Sequence, residues 1–265
     1  MAGPVLRLGR HITYSNIGLM QLNQMFEQRK VEATFSSFRT HHPLRTPSGP
    51  QWTESDLESK LLIQLAFAPG VYDLMTQPII RYLDEKGIKR TYTPDIVVQL
   101  HADIDDYPTR YIIEVKRQAA IDADDGMLAR KFAIGRLGAE AAGAAFRVMT
   151  DREIDTGYLI NARVLKRRRS EDFDTEHMDL VLDVVAKSPT NLAALIETLE
   201  PQGLTEPLIR DIVERFVAHR IVYCDLTQPF DEASAISTIV QENIGKHGHD
   251  PILRILRDAS NGVNI

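Results

Sequence analysis

The sequence predicts an α/β fold, a mixed sheet flanked by helices, followed by an α-helical, winged-helix-like C-terminal domain. Three observations carry this. Between residues 51 and 165 the order reads helix, short strands, helix, strand, the layout of a mixed sheet covered by helices. At residues 166–174 the composition switches from Lys166-Arg167-Arg168-Arg169-Ser170 to Glu171-Asp172-Phe173-Asp174, which marks a boundary. Beyond it come three short helical patterns and one strand, the inventory of a winged helix. The expected domains are a basic N-terminal arm at 1–50, an α/β core at 51–169, and the C-terminal domain with its tail at 170–265.

Each element has its own signal. Residues 40–50, rich in proline, read as an extended loop. A helix then starts with Thr53 or Ser55 as cap and Asp56 or Glu58 as capping-box partner. Leu57, Leu61, Leu62, Leu65 and Ala66 form its apolar stripe, and Pro69-Gly70 stops it. Strands are expected at 78–83, 90–100 and 109–117, an Ala-rich helix at 124–142, and a strand at 145–150. The run Tyr158–Leu165 fits a helix or an extended segment. The C-terminal helices are expected at 176–187, then after a Thr190 cap with Leu192, Leu195, Ile196 and Leu199, then after a Thr205 cap with Pro207 in the first turn. A strand at 221–226 follows. The tail is polar from about 240 with one apolar turn, Ile252, Leu253, Ile255 and Leu256.

Composition narrows the function. The 265 residues are 43% hydrophobic and 26% charged, ordinary for a globular protein. No apolar run approaches the roughly 20 residues that span a bilayer, and the N-terminus lacks the apolar core of a secretory signal, so no membrane partner and a cytoplasmic location are expected. Cys224 is the sole cysteine, which rules out an intrachain disulfide and a cysteine-based zinc site. Net charge is −6, but residues 1–50 hold six basic and two acidic side chains, +4, leaving −10 for the rest. Such a charge balance grips nucleic acid weakly, so any role on DNA would call for a partner to deliver it.

The chemistry lies in Thr93-Pro94-Asp95-Ile96-Val97-Val98 and Ile112-Ile113-Glu114-Val115-Lys116. Residues two apart in a strand share a face, so Glu114 and Lys116 project together. The break at Asp103–Pro108 lets the two strands form a hairpin that brings Asp95 alongside. Carboxylates suit a hard cation such as Mg2+, and an ammonium beside them stabilises charge developing on a phosphate. The pattern predicts a metal-dependent nuclease. Taken singly, Glu114 and Lys116 also fit a surface pair.

Pro94-Asp95 with Glu114-Val115-Lys116 resembles the PD-(D/E)xK nuclease superfamily. The longer context is similar to the TnsA subunit of heteromeric transposases. It is carried by Glu54-Ser55-Asp56-Leu57-Glu58 leading to Pro69-Gly70-Val71 and Gln77-Pro78, by the two motif strands, and by Phe146–Asp151 through Asn161-Ala162. The resemblance covers about residues 50–165. It implies a restriction-endonuclease-like fold and an Mg2+ cofactor, two ions with Mn2+ able to substitute. The implied activity is cleavage at the 5′ ends of a transposon, on DNA, with a TnsB-type integrase-like subunit and a TnsC-type ATPase regulator as partners. Glu58 then becomes the helix-borne ligand, with Glu54 one turn earlier as its rival. Asp95 is the central ligand, Glu114 and the Val115 carbonyl complete the metal set, and Lys116 is the motif lysine. Some members carry glutamine where Glu114 stands.

Arg39, Arg45, Lys131, Lys166 and Arg167 are candidate nucleic-acid contacts, and Lys166–Arg169 reads most simply as a solvated charge run. His41-His42 reads as loop, Asp103, Asp105 and Asp106 as a solvated turn, and His247-Gly248-His249-Asp250 as flexible tail. The third C-terminal helix is expected to expose Arg210, Arg215, His219 and Arg220 among acidic residues, which suits protein docking better than DNA reading. Two other readings are an inactive winged-helix adaptor and a stand-alone resolvase or restriction-like nuclease. The chain has no phosphate-binding G-x-x-x-x-G-K-[ST] loop, so an ATP requirement falls to a partner.

Overall fold

The computed structural model describes residues 21–29, 39–83, 86–101, 109–170, 177–238 and 250–258. The first elements are α1 (Leu22–Met25), β1 (Glu27–Gln28), β2 (Thr40–His42), β3 (Gln51–Thr53) and α2 (Asp56–Phe67). Part of the segment read as a basic arm is therefore packed: Leu22 and Phe26 are buried in an apolar cluster with Met75, Ile80 and Val97. The loop expected at 40–50 begins as a strand, because β2 pairs antiparallel with β3, His41 opposite Trp52. His42 points inward, its Nε2 3.2 Å from both the Thr53 and Ser59 hydroxyls. Ser55 is the cap of α2, accepting the Glu58 N–H at 3.1 Å.

Four strands form the central sheet in the order β4 (Val71–Thr76), β7 (Ile96–Leu100), β8 (Arg110–Val115) and β9 (Ala145–Met149). The first two pairings are antiparallel and β8–β9 is parallel, so the mixed sheet is confirmed. Residues 96–98 of β7 and 111–113 of β8 read as unbroken apolar runs because both faces are covered. Ile96, Val98, Tyr111 and Ile113 join the cluster of α2 and α6 (Gly157–Leu165), whereas Val97 and Ile112 join the opposite one. β4 was not foreseen, since Asp73 breaks its β pattern. That carboxylate is fully buried and accepts from Leu22 N, Ser48 N, Ser48 Oγ and Leu74 N at 2.8–3.0 Å.

The strand expected at 90–100 is two. β6 (Lys89–Tyr92) pairs with β5 (Pro78–Leu83) in a small sheet with β1, while β7 belongs to the central one. Pro94 supplies no N–H and restricts Thr93, so the chain turns between them. Two helices, α3 (Gln118–Asp122) and α4 (Met127–Ala141), make the crossover to β9. After α5 (Asp151–Ile154), the run at 158–165 is helical and forms most of α6.

The basic run 166–169 is not simply solvated. Arg168 bonds Asp211 at 2.6 Å and Glu214 at 2.8 Å, Arg169 donates to the Phe67 carbonyl at 2.8 Å, and Lys166 is half-buried. The C-terminal elements are α7 (Met178–Lys187), α8 (Leu192–Leu199), α9 (Glu206–His219), β10 (Val222–Cys224), β11 (Ile236–Thr238) and α10 (Pro251–Asp258). Asn191, not Thr190, caps α8, its Oδ1 accepting from Ala194 N at 2.8 Å. Thr190 instead bridges to Ile236, next to the antiparallel β10–β11 pair. Among the described residues, no helix is long and apolar enough to cross a membrane.

One apolar cluster runs from α2 and α6 through α7, α8 and α9 to Ile252, Leu253 and Leu256 of α10. A buried polar knot fastens the same junction. Arg220, expected on the surface, is buried with φ +58° at the end of α9 and pairs with Asp250 at 2.8 Å. Tyr158 donates to Asp250 at 2.9 Å, and the Arg220 guanidinium lies 4.4 Å from the Phe67 ring centroid. Asp250 is thus an interior residue rather than flexible tail, while His247 and His249 lie outside the described residues, as do Asp103, Asp105 and Asp106. Removing one partner of a buried pair strands the other charge. Asp250→Ala is expected to lower stability by about 3–5 kcal/mol in urea unfolding; a loss below about 1 kcal/mol would mean the knot is not load-carrying.

Candidate active site

The β7–β8 register pairs Ile96 with Ile113, and its continuation sets Asp95 opposite Glu114. Both carboxylates are buried, Glu114 completely and Asp95 with 8% exposure. Asp95 Oδ2 accepts the Val115 N–H at 2.7 Å. Lys116 Nζ lies 2.9 Å from the Val115 carbonyl, 3.4 Å from Glu114 Oε2 and 3.5 Å from Asp95 Oδ2. The ammonium therefore sits among three of the four groups expected to hold a metal, Glu58 being the fourth.

Burial raises Asp95 to about 7, with the Glu114 charge adding to it, Lys116 opposing, and the Glu58 charge adding again. Burial works against the charged form of Lys116, but the Asp95 and Glu114 carboxylates outweigh it and its pKa rises. Glu58 is therefore within electrostatic reach of Asp95. Its carboxylate is held at the α2 N-terminus, taking the Ser55 hydroxyl at 2.8 Å and Glu54 N at 3.0 Å. Glu54 instead pairs with Arg29, which also donates to Gln77 Oε1 at 2.9 Å.

Gln77 has a left-handed φ of +52°, an uncommon conformation for a non-glycine residue. Its N–H bonds the Asp95 carbonyl at 2.9 Å, bracing the turn that presents the carboxylate.

Two further groups close on Glu114. Buried Tyr92 donates to Oε1 at 2.6 Å, and Lys131 Nζ meets Oε2 at 2.8 Å. Burial, then the Glu114 charge, drives the Tyr92 pKa far upward, so it remains a donor. Gly135, one turn after Lys131 on α4, makes room: a Cβ there would lie 2.3 Å from the Phe146 ring and 2.8 Å from the Tyr92 hydroxyl. Tyr92 was not singled out from the sequence, although it stands three residues before Asp95.

Of the nucleic-acid candidates, Arg39 and Lys166 are half-buried, while Arg45 and Arg167 are exposed. Lys131 is the candidate that the structure brings to the carboxylates.

Among the described residues, no group of three His, Cys, Asp or Glu side chains is placed to hold a metal unaided. Glu58, the fourth expected ligand, stays on its cap, and the donors gathered here are two carboxylates and a main-chain carbonyl. These are hard oxygens already gathered around a cation, the Lys116 ammonium, and they fit a hard divalent ion.

Residues 68–151 match the family model described as TnsA-like endonuclease N terminal. This part of the chain, about a third of its length, is thus similar to TnsA-like endonuclease N-terminal domains. The matched span contains Asp95, Glu114, Lys116, Tyr92 and Lys131, and begins after Glu58. No curated protein matches the chain.

An unfolded aspartate gives up its proton near pH ~3.9, whereas folded Asp95 keeps it to about 7. The folded state binds the extra proton between those values, so this group lowers stability as pH rises through them. In metal-free buffer, the Asp95 contribution should make the urea midpoint fall from about pH 4.5 to about 7.5, and Asp95→Asn should flatten that fall. An unchanged slope in Asp95→Asn would contradict the assignment.

Proposed function

We propose that this protein is the endonuclease subunit of a heteromeric transposase, a divalent-metal-dependent hydrolase that cuts phosphodiester bonds at the 5′ ends of a transposon. The observation that carries the reading is the buried Asp95–Glu114 pair with the Lys116 ammonium between them. Asp95, Glu114 and the Val115 carbonyl would hold Mg2+, or Mn2+ in its place, with Glu58 as the further carboxylate once it leaves its cap. When bound, the ion supplies Lewis-acid polarisation of the phosphate and a water of lowered pKa.

The chain's own groups do the rest. The Val115 N–H fixes the rotamer of Asp95, and Tyr92 fixes Glu114. Lys116 presents a fixed positive charge where negative charge grows on the scissile phosphate. Burial of the carboxylates excludes water from their inner side and strengthens each of these interactions. Glu58 is the better helix ligand than Glu54, because its charge acts on Asp95 whereas Glu54 is taken by Arg29.

DNA at the transposon ends is the substrate in this reading, with a TnsB-type integrase-like subunit and a TnsC-type ATPase as partners. Residues 51–169 form the nuclease unit, and 170–265 a winged-helix-like unit whose task is protein docking. Support for docking comes from α9, where Arg210 pairs with Glu206 and Glu232, Arg215 with Asp211, and Arg220 is buried. Such internally neutralised arginines are poor phosphate contacts. Exposed Ile221 and Tyr223 lie just beyond that helix.

Nicking of transposon-end DNA in Mg2+, with the TnsB-type partner present, tests the reading. Asp95→Ala and Glu114→Ala should abolish it in folded protein, and Lys116→Ala should slow it roughly 10²–10³-fold. Glu58→Ala should be inactive while Glu54→Ala retains activity. Undiminished cleavage by folded Asp95→Ala would refute the proposal; loss confined to Glu54→Ala would move the helix ligand to Glu54.

A further inference from the structure

Glu114 is surrounded by more positive charge than a single metal ligand needs. Its Oε2 faces two ammonium groups, Lys131 at 2.8 Å and Lys116 at 3.4 Å, while Oε1 takes the Tyr92 hydroxyl. Lys116 also lies 3.5 Å from Asp95 Oδ2, so each carboxylate has an ammonium beside it. A divalent ion entering this set therefore meets carboxylates already neutralised, and two like charges within a few ångströms.

The two lysines are not equivalent. Lys116 is anchored to three oxygens, the Val115 carbonyl among them, and its side chain is 25% exposed. Lys131 enters from α4 with 37% of its side chain exposed, and a four-carbon stem lets its ammonium turn outward to solvent. Glu114 would not follow it, because Tyr92 holds Oε1 from a position that Gly135 keeps clear.

We infer that Lys131 is a transferable counter-ion: it neutralises Glu114 until a divalent cation takes that carboxylate, and its ammonium then passes to a phosphate of the bound DNA. This rests on the nuclease reading above and adds a coupling to it. Metal loading is disfavoured without DNA and favoured with it, since the phosphate accepts the displaced charge. A lysine that merely propped Glu114 in place would act oppositely, its removal loosening the metal site.

The test is calorimetric titration of full-length protein with Mn2+ in the absence of DNA, comparing wild type, K131M, K131Q and D95A. Cleavage kinetics and circular-dichroism melts are run on the same proteins. K131M and K131Q should bind Mn2+ about tenfold more tightly than wild type, the scale of one like charge removed from a partly solvated site. The same variants should cut DNA more slowly and with a higher KM, and K131R should restore both measurements toward wild type. Unchanged or weaker Mn2+ binding in both K131M and K131Q, with wild-type melts, would overturn the counter-ion role while leaving the nuclease reading intact. Mn2+ binding equal in wild type and D95A would overturn the metal site, and this inference with it.

Discussion

Burying two carboxylates on facing strands sets the terms for everything around them. Asp95 and Glu114 sit opposite each other because β7 and β8 pair antiparallel in a register fixed by Ile96, Val97, Ile112 and Ile113, whose side chains fill both faces of the sheet. A slip of one residue would turn these apolar side chains to the wrong faces, so the core specifies the site. Two like charges withdrawn from water need compensation. The chain provides it with one main-chain N–H, one phenol and two ammonium groups.

The compensating groups come from elements that would otherwise have no reason to meet. Tyr92 ends β6 in the small sheet, Lys131 rides on the crossover helix α4, and Gln77 turns the chain between the two sheets. Glu58 enters from the cap of α2, on the face opposite α4. The site is thus built where both helical layers and both sheets converge. Behind it, the Arg220–Asp250–Tyr158 knot ties α6, α9 and α10 together, so the C-terminal helices share a core with α2.

The sequence disclosed what depends on local period and spacing. Alternation along β8 put Glu114 and Lys116 on one face, the turn before Arg110 implied the hairpin, and the Ser55/Glu58 spacing fitted the α2 cap that forms. What stayed hidden depends on distant partners. Asp73 reads as a strand breaker until Leu22 and Ser48 arrive to satisfy it. Arg168 and Arg169 read as solvated until Asp211, Glu214 and the end of α2 fold against them. Tyr92 and Lys131 reach Glu114 only because Gly135 lets α4 approach, a steric fact that no periodicity contains. The one signal available was Lys131 and Gly135 at helical i, i+4 spacing.

In the proposed function, the oxygens gathered around the Lys116 ammonium hold a divalent metal ion. Anomalous diffraction from crystals soaked in Mn2+ tests it most directly. The expected result is a Mn2+ peak bounded by Asp95, Glu114 and the Val115 carbonyl, lost in Asp95→Ala crystals. A peak elsewhere in the molecule that survives Asp95→Ala, with no density between these three groups at saturating Mn2+, would contradict it.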